Sequence, residues 1–182
     1  MKNIVLIGMP GCGKSEIGKI FAEKIEMKFI DIDAFIESST KCAITEIFKN
    51  GEAEFRDIES NVIRELSKQN PVVISTGGGV IKRYENILNL KKNGIIIYIN
   101  RPIENIVNDI DIEVRPLLAK DPSQIFRLFE ERGPLYKKYC DHEVMNTRGI
   151  YEIVDSIIEI YKKINKLKIG RASCRERVFA GC

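Results

Sequence analysis

Five short apolar runs punctuate the chain: residues 3–8 (NIVLIG), 28–33 (KFIDID), 71–76 (PVVIST), 94–100 (GIIIYIN) and the weaker 142–146 (HEVMN). They are rich in isoleucine and valine and shorter than an ordinary helix, so they predict strands. Between them, apolar residues recur three and four apart, which predicts helices at 14–26, 45–68, 82–92, 102–109, 122–139 and 150–167. Several of the strand runs are almost continuously apolar, the pattern of strands covered on both faces. Strands alternating with helices predict an α/β domain: a parallel sheet wrapped by helices, with right-handed crossovers.

Three stretches depart from this rhythm. In FIDID, Ile30 and Ile32 alternate with Asp31 and Asp33. In an extended strand both carboxylates would share a face, repel each other and require a compensating partner. The alternative is a pair of strand-end carboxylates capping a helix that begins at AFIESS. Residues 108–122 (NDIDIEVRPLLAKDP) place acids, two prolines and a central arginine between two helical segments. A connection of that length inside a compact domain is expected to be a functional loop or a disordered one.

The third departure is the end of the chain. The last helical stripe runs through Ile153, Val154, Ile157, Ile158, Ile160, Tyr161 and Ile164, and the periodicity stops after Lys168. The final segment, IGRASCRERVFAGC, turns to arginine, cysteine and small residues, and Ile169 to Val178 resembles the conceptual translation of a sequencing-adapter oligonucleotide. The expected organisation is one domain over 1–168 and a non-native tail over 169–182.

Composition narrows the function classes. With 182 residues, 44% hydrophobic and 30% charged, the chain suits one globular domain rather than two, or a disordered segment. The net charge of +3 loses three arginines and one glutamate with the tail and falls to +1. Neither value argues for a nucleic-acid or membrane partner, and neither partner is expected. Five cysteines, at 12, 42, 140, 174 and 182, show no metal-like spacing, which fits a reduced, cytoplasmic protein with free thiols. His142 is the sole histidine and has no acid placed beside it by sequence, so it is read as incidental.

The strongest chemical signal is GMPGCGKS, Gly8 to Ser15, which matches G-x-x-x-x-G-K-[ST] in full. It follows an apolar run and opens a helical one, the context that a phosphate-binding loop requires. Its glycines let backbone N–H groups turn inward onto a phosphate chain. Lys14 would reach the β- and γ-phosphates and Ser15 would ligate Mg²⁺, while Cys12 reads as a small side chain that fits the turn. The loop identifies a nucleoside triphosphate without saying what is done with it. A small-molecule kinase, a GTPase switch and a non-catalytic nucleotide-binding module compete. Neither DxxG nor NKxD occurs, which disfavours the switch. The strand VVIS runs into TGGG where a motor ATPase would place an acid. The metal's carboxylate then falls to FIDID, one aspartate serving Mg²⁺ and the other an acceptor hydroxyl.

Other residues carry two readings each. Arg56, in EAEFRDIE, sits among acids, where an ion pair is the default. Gly77, Gly78 and Gly79 suit either a close backbone approach to a ligand or a plain strand-to-helix turn. Arg115 lies in the long acidic loop, from which it would swing over the phosphates as a lid. Arg132, in ERGPLY, precedes a proline.

Taken in order and at their spacings, GMPGCGKSEIG, FIDID, EFRDIE, TGGG, VRPLL and ERGPLY resemble shikimate kinase over residues 3–165. The resemblance implies a P-loop, nucleoside-monophosphate-kinase-like three-layer sandwich with a five-stranded parallel sheet in order 2-3-1-4-5 and a lid over about 108–122. It also implies a monomeric enzyme that transfers the ATP γ-phosphoryl group to the 3-hydroxyl of shikimate, a step toward chorismate and the aromatic amino acids. Lys14, Asp33 and Arg115 are then the catalytic residues. Gly11, Cys12, Gly13, Lys14, Ser15, Glu16, Arg115 and Arg148 bind ATP, and Ser15 and Asp31 hold Mg²⁺. Asp33, Arg56, Gly78, Gly79 and Arg132 bind shikimate, with Glu59 orienting the arginine clamp. Two positions depart from the family pattern: Asn108 stands where an adenine-stacking arginine is often found, and Ile150 where a proline is usual. Weaker ATP binding is expected from Asn108. A related kinase, such as gluconate kinase, is the alternative.

Overall fold

The computed structural model describes residues 2–69, 71–109 and 123–178, with backbone alone for residue 123 and for 166–178. Five parallel strands form one sheet: β1 (Asn3–Ile7), β2 (Lys28–Asp31), β3 (Val72–Ser75), β4 (Gly94–Asn100) and β5 (His142–Met145), in the order β2-β3-β1-β4-β5. The expected order holds. The three central strands β3, β1 and β4 are buried at every position, which explains sequences that are apolar but for Asn3, Ser75 and Asn100 at their ends. The edge strands β2 and β5 each bury one residue, Ile30 and Val144, and are correspondingly mixed in composition. Register is fixed by pairs such as Ile4 with Val73 and Ile95, and Ile30 with Ile74.

The helices are α1 (Lys14–Lys24), α2 (Ile32–Thr40), α3 (Ile44–Ile47), α4 (Glu52–Leu66), α5 (Tyr84–Asn93), α6 (Ile103–Asn108), α7 (Ser123–Tyr139) and α8 (Ile150–Val178), with single 3₁₀ turns at Phe48–Asn50 and Val80–Lys82. They cover both faces of the sheet. Gly18 of α1 lies over Leu6, while Gly94 faces Val5 and the Leu90 carbonyl of α5. Leu6 and Val5 are successive strand residues and point to opposite faces. α8 packs on α1, with Tyr161 edge-on to Phe21 and Asp155 paired with Lys24, and it buries Ile153, Val154 and Ile157.

Three elements differ from the sequence expectation. The strand predicted to Asp33 ends at Asp31, and Asp33 lies in the first turn of α2, the helix that the capping alternative placed after FIDID. The Asp31 carboxylate accepts from the N–H groups of Asp33 (3.1 Å) and Ala34 (3.2 Å), so it is the N-cap. The helix expected over 45–68 is broken at Gly51, whose φ of 120° and ψ of 150° lie outside the range of other residues. Finally, α8 stays helical to Val178, past the point where its apolar stripe stops. Propagating a helix already formed needs only tolerable propensity, not an amphipathic stripe. The core of the predicted lid, residues 110–122 with Arg115, lies outside the described residues.

Candidate functional site

The carboxyl ends of β1, β2 and β3 and the starts of α1 and α2 meet at one place, the position where open parallel sheets bind ligands. The phosphate loop leaves β1 and enters α1 through Gly13, which takes a left-handed conformation (φ 90°). Gly11 does the same (φ 84°). The Lys14 ammonium folds back over the loop and donates to the carbonyls of Gly8 (2.9 Å) and Met9 (2.8 Å). It is 7% exposed, a buried cation within a cradle of backbone dipoles. Glu16 is exposed in the first turn of α1.

Ser15 and Asp31 come together as expected. The Ser15 hydroxyl donates to Asp31 Oδ2 at 2.5 Å and lies 3.3 Å from the Ser75 hydroxyl at the end of β3. Two hard oxygen ligands side by side at the mouth of a phosphate loop fit Mg²⁺, which takes few protein ligands and completes its shell with phosphate and water. Among the described residues no cluster of three or more His, Cys, Asp or Glu side chains could hold a metal alone. Ser75 had no signal in the sequence beyond its place at a strand end.

Asp33 and Asp31 do not share one strand face as an extended FIDID would require. The turn into α2 separates them: Asp31 faces Ser15 and its own helix cap, while Asp33 faces Gly77, where a Cβ would come within 2.9 Å of Oδ1. That Oδ1 is buried without a hydrogen-bond partner among the described residues. Burial, and then the charge of Asp31, push the Asp33 carboxyl above its ordinary range, against the opposing pull of Lys14 and Arg56. A buried, partnerless carboxylate oxygen beside a phosphate loop is an acceptor waiting for a donor.

The glycine run lies between two guanidinium groups. The Arg56 guanidinium of α4 packs so closely on Gly79 that a Cβ there would displace it, so the absence of a side chain at Gly79 makes room for the arginine. Arg56 is held by Glu59 (2.7 Å) and Glu52 (3.2 Å). Glu59 is fully buried; burial raises its carboxyl while Arg56 lowers it. Arg132 of α7 donates to the Gly78 carbonyl (3.3 Å), and its Nε is buried with no partner among the described residues.

A residue missed in the sequence shares that carbonyl. Tyr136 donates its hydroxyl to Gly78 O at 2.5 Å, is fully buried, and stacks on Tyr98 with ring centroids 5.2 Å apart. Burial pushes both phenols up, which keeps them protonated donors. Its signal was present in ERGPLY: Arg132 and Tyr136 are four apart and share a helix face.

The remaining residues expected toward the nucleotide follow β4 and β5 in the chain. Asn108 is exposed at the end of α6, and Arg148 is 77% exposed, 3.9 Å from Glu152. Ile150 opens α8. His142 is half-buried on β5 opposite Ile97 and takes no part in the site.

A family model described as shikimate kinase matches residues 10–162. The chain belongs to the shikimate kinase family. A shikimate kinase of Clostridium botulinum (strain Eklund 17B / Type B) is 51% identical over 161 residues, 88% of this chain and 98% of that protein. Shikimate kinase from Acinetobacter baumannii in complex with shikimate superposes with a TM-score of 0.83 at 33% identity, covering 90% of this chain and 94% of the other. A gluconokinase from Sinorhizobium meliloti 1021, at 15% identity and a TM-score of 0.55, shares the fold alone. Membership of the shikimate kinase family makes the enzyme an ATP-dependent kinase, which disposes of the switch and the silent binding module.

Proposed function

We infer that this chain phosphorylates shikimate at its 3-hydroxyl, holding ATP over Gly11 to Glu16 and shikimate between Asp33, Arg56, Arg132 and the backbone of Gly78 and Gly79. The observation that carries the reading is the partnerless Asp33 Oδ1, which lies buried where the charges of Lys14 and Arg56 both act on the carboxylate. In this reading it accepts the proton of an acceptor hydroxyl as that oxygen bonds to the γ-phosphorus and the bond to the β-phosphate oxygen breaks. The proton goes to Asp33 and the leaving group departs as ADP.

Mg²⁺ at Ser15 and Asp31 would neutralise charge on the β- and γ-phosphates. The rest of the work is positioning. Lys14 supplies a cation for the transferring phosphoryl group. Arg56 and Arg132 suit a carboxylate, the feature that distinguishes a cyclic hydroxy acid from a simple sugar. Arg115 and Arg148 complete the reading at the phosphates and the adenine. We take the enzyme to be a monomer in a reducing cytoplasm, a reading that the free Cys12, Cys42 and Cys140 suit. No helix among the described residues is long and apolar enough to cross a membrane.

Incubation with ATP, Mg²⁺ and shikimate, followed by phosphorus and proton NMR, tests the reading. Shikimate 3-phosphate is the expected product. Phosphorylation of gluconate with shikimate left intact would overturn it.

A further inference from the structure

A phosphate loop binds anions because its N–H groups point inward, which obliges its carbonyls to point outward. Glycine weakens that obligation, since residues free to adopt positive φ also permit a peptide plane to turn over. A turned plane would aim a carbonyl oxygen at a phosphate. Gly11 and Gly13 both have positive φ, so the planes on either side of Cys12 are the ones at risk. In this chain each of those two planes is held from outside by a side chain. Arg101, just past the end of β4, donates to the Gly11 carbonyl at 3.3 Å, and its guanidinium is also paired with Asp109. Asn146, just past the end of β5, donates through Nδ2 to the Cys12 carbonyl at 2.9 Å. Asn146 is itself anchored by its backbone N–H on the Asn100 carbonyl, at 2.7 Å.

The two planes are not equivalent. The Cys12 N–H donates to the Met9 carbonyl at 3.2 Å, so the plane held by Arg101 supports the turn itself. The plane held by Asn146 carries the N–H of Gly13, at the N-terminus of α1, where an anion is received. Asn146 Nδ2 also lies 3.3 Å from where a Gly13 side chain would begin, so it closes the outer wall of the loop at that point.

We propose that Asn146 and Arg101 are positioning residues for nucleotide binding, which lock the Cys12 and Gly11 carbonyls outward and thereby hold the Gly13 N–H toward the phosphates of ATP. The inference rests on the reading that this loop binds ATP. It assigns to the ends of β4 and β5 a part in substrate binding that is separate from any contact with the adenine.

The test uses the full chain and four variants: Asn146→Asp, Asn146→Ala, Arg101→Met and Arg101→Lys. ATP and shikimate KM values are measured in a coupled assay, and Mg·ADP affinity by calorimetry. Asn146→Asp replaces a donor with a charged acceptor facing the Cys12 carbonyl. It is expected to raise the ATP KM and the ADP Kd about tenfold, with Asn146→Ala about threefold, the range one hydrogen bond supports. Arg101→Met is expected to raise both about threefold, and Arg101→Lys to restore them. Shikimate KM should stay within about twofold in all four, a separation that general loosening of the fold would not produce. If ATP KM and ADP Kd are unchanged, or if both substrates weaken together, the proposal is wrong. Wild-type chain that fails to bind Mg·ADP would instead overturn the reading of the loop on which it rests.

Discussion

At the scale of single residues, the site spends stability on function. Asp33 is half-buried beside Asp31 with one carboxylate oxygen covered, and its carboxyl is raised above the ordinary value of 3.8. A carboxyl raised in the folded state takes up its proton more readily folded than unfolded. Its charge therefore costs stability near neutral pH, and the cost disappears as pH falls through the raised value toward the ordinary one. In Mg²⁺-free buffer, Asp33→Asn should resist urea better than wild type at pH 7, and the advantage should shrink on acidification. A variant less stable than wild type at pH 7 would contradict this. The same substitution should lower kcat about 10²–10⁴-fold if Asp33 takes the acceptor's proton. Tyr136→Phe removes one of two donors on the Gly78 carbonyl. It should cost about 1–2 kcal/mol in urea unfolding and raise shikimate KM several-fold with ATP KM unmoved.

At the scale of elements, the sequence was most legible where burial is two-sided. NIVLI, VVIS and GIIIYIN could be little else than central strands. It misled where one residue serves several purposes. Asp31 ends a strand, caps α2 and faces Ser15, and the alternation that these duties produce in FIDID imitates a longer strand. The break before α4 turned on a single φ at Gly51, which an apolar periodicity cannot register. That position has no atom within 4 Å of a would-be side chain, so Gly51→Ala isolates backbone strain from packing. It should destabilise the fold by about 1–3 kcal/mol in urea unfolding, with the KM values of both substrates unchanged. Of the site, the phosphate loop was legible because local spacing dictates its fold, while FIDID named two carboxylates without showing that the turn into α2 separates them. Ser75, Arg101 and Asn146 were not legible, because each acts on a residue far away in sequence, and Tyr136 carried a signal only through its helical spacing from Arg132.

At the scale of the whole molecule, the sheet order brings every one of these groups to one edge of the fold. β1 stands between β3 and β4, so the loop that leaves it is flanked by the glycine run on one side and by Arg101 and Asn146 on the other. Among the described side chains, α8 buries Ile153, Val154 and Ile157 and sets Tyr161 against Phe21 of α1, all well before Lys168. Truncation after Lys168 should therefore leave kcat, both KM values and Tm unchanged, as thermal denaturation and steady-state assays would show. The central claim is that Asp33 activates the 3-hydroxyl of shikimate for transfer from ATP bound at the phosphate loop. Its most direct test is Mg²⁺-dependent ADP formation by wild type and Asp33→Asn, each with and without shikimate. ADP formation that requires shikimate in the wild type and is lost in the variant is the predicted result. Turnover indifferent to shikimate, or undiminished by Asp33→Asn, would contradict it.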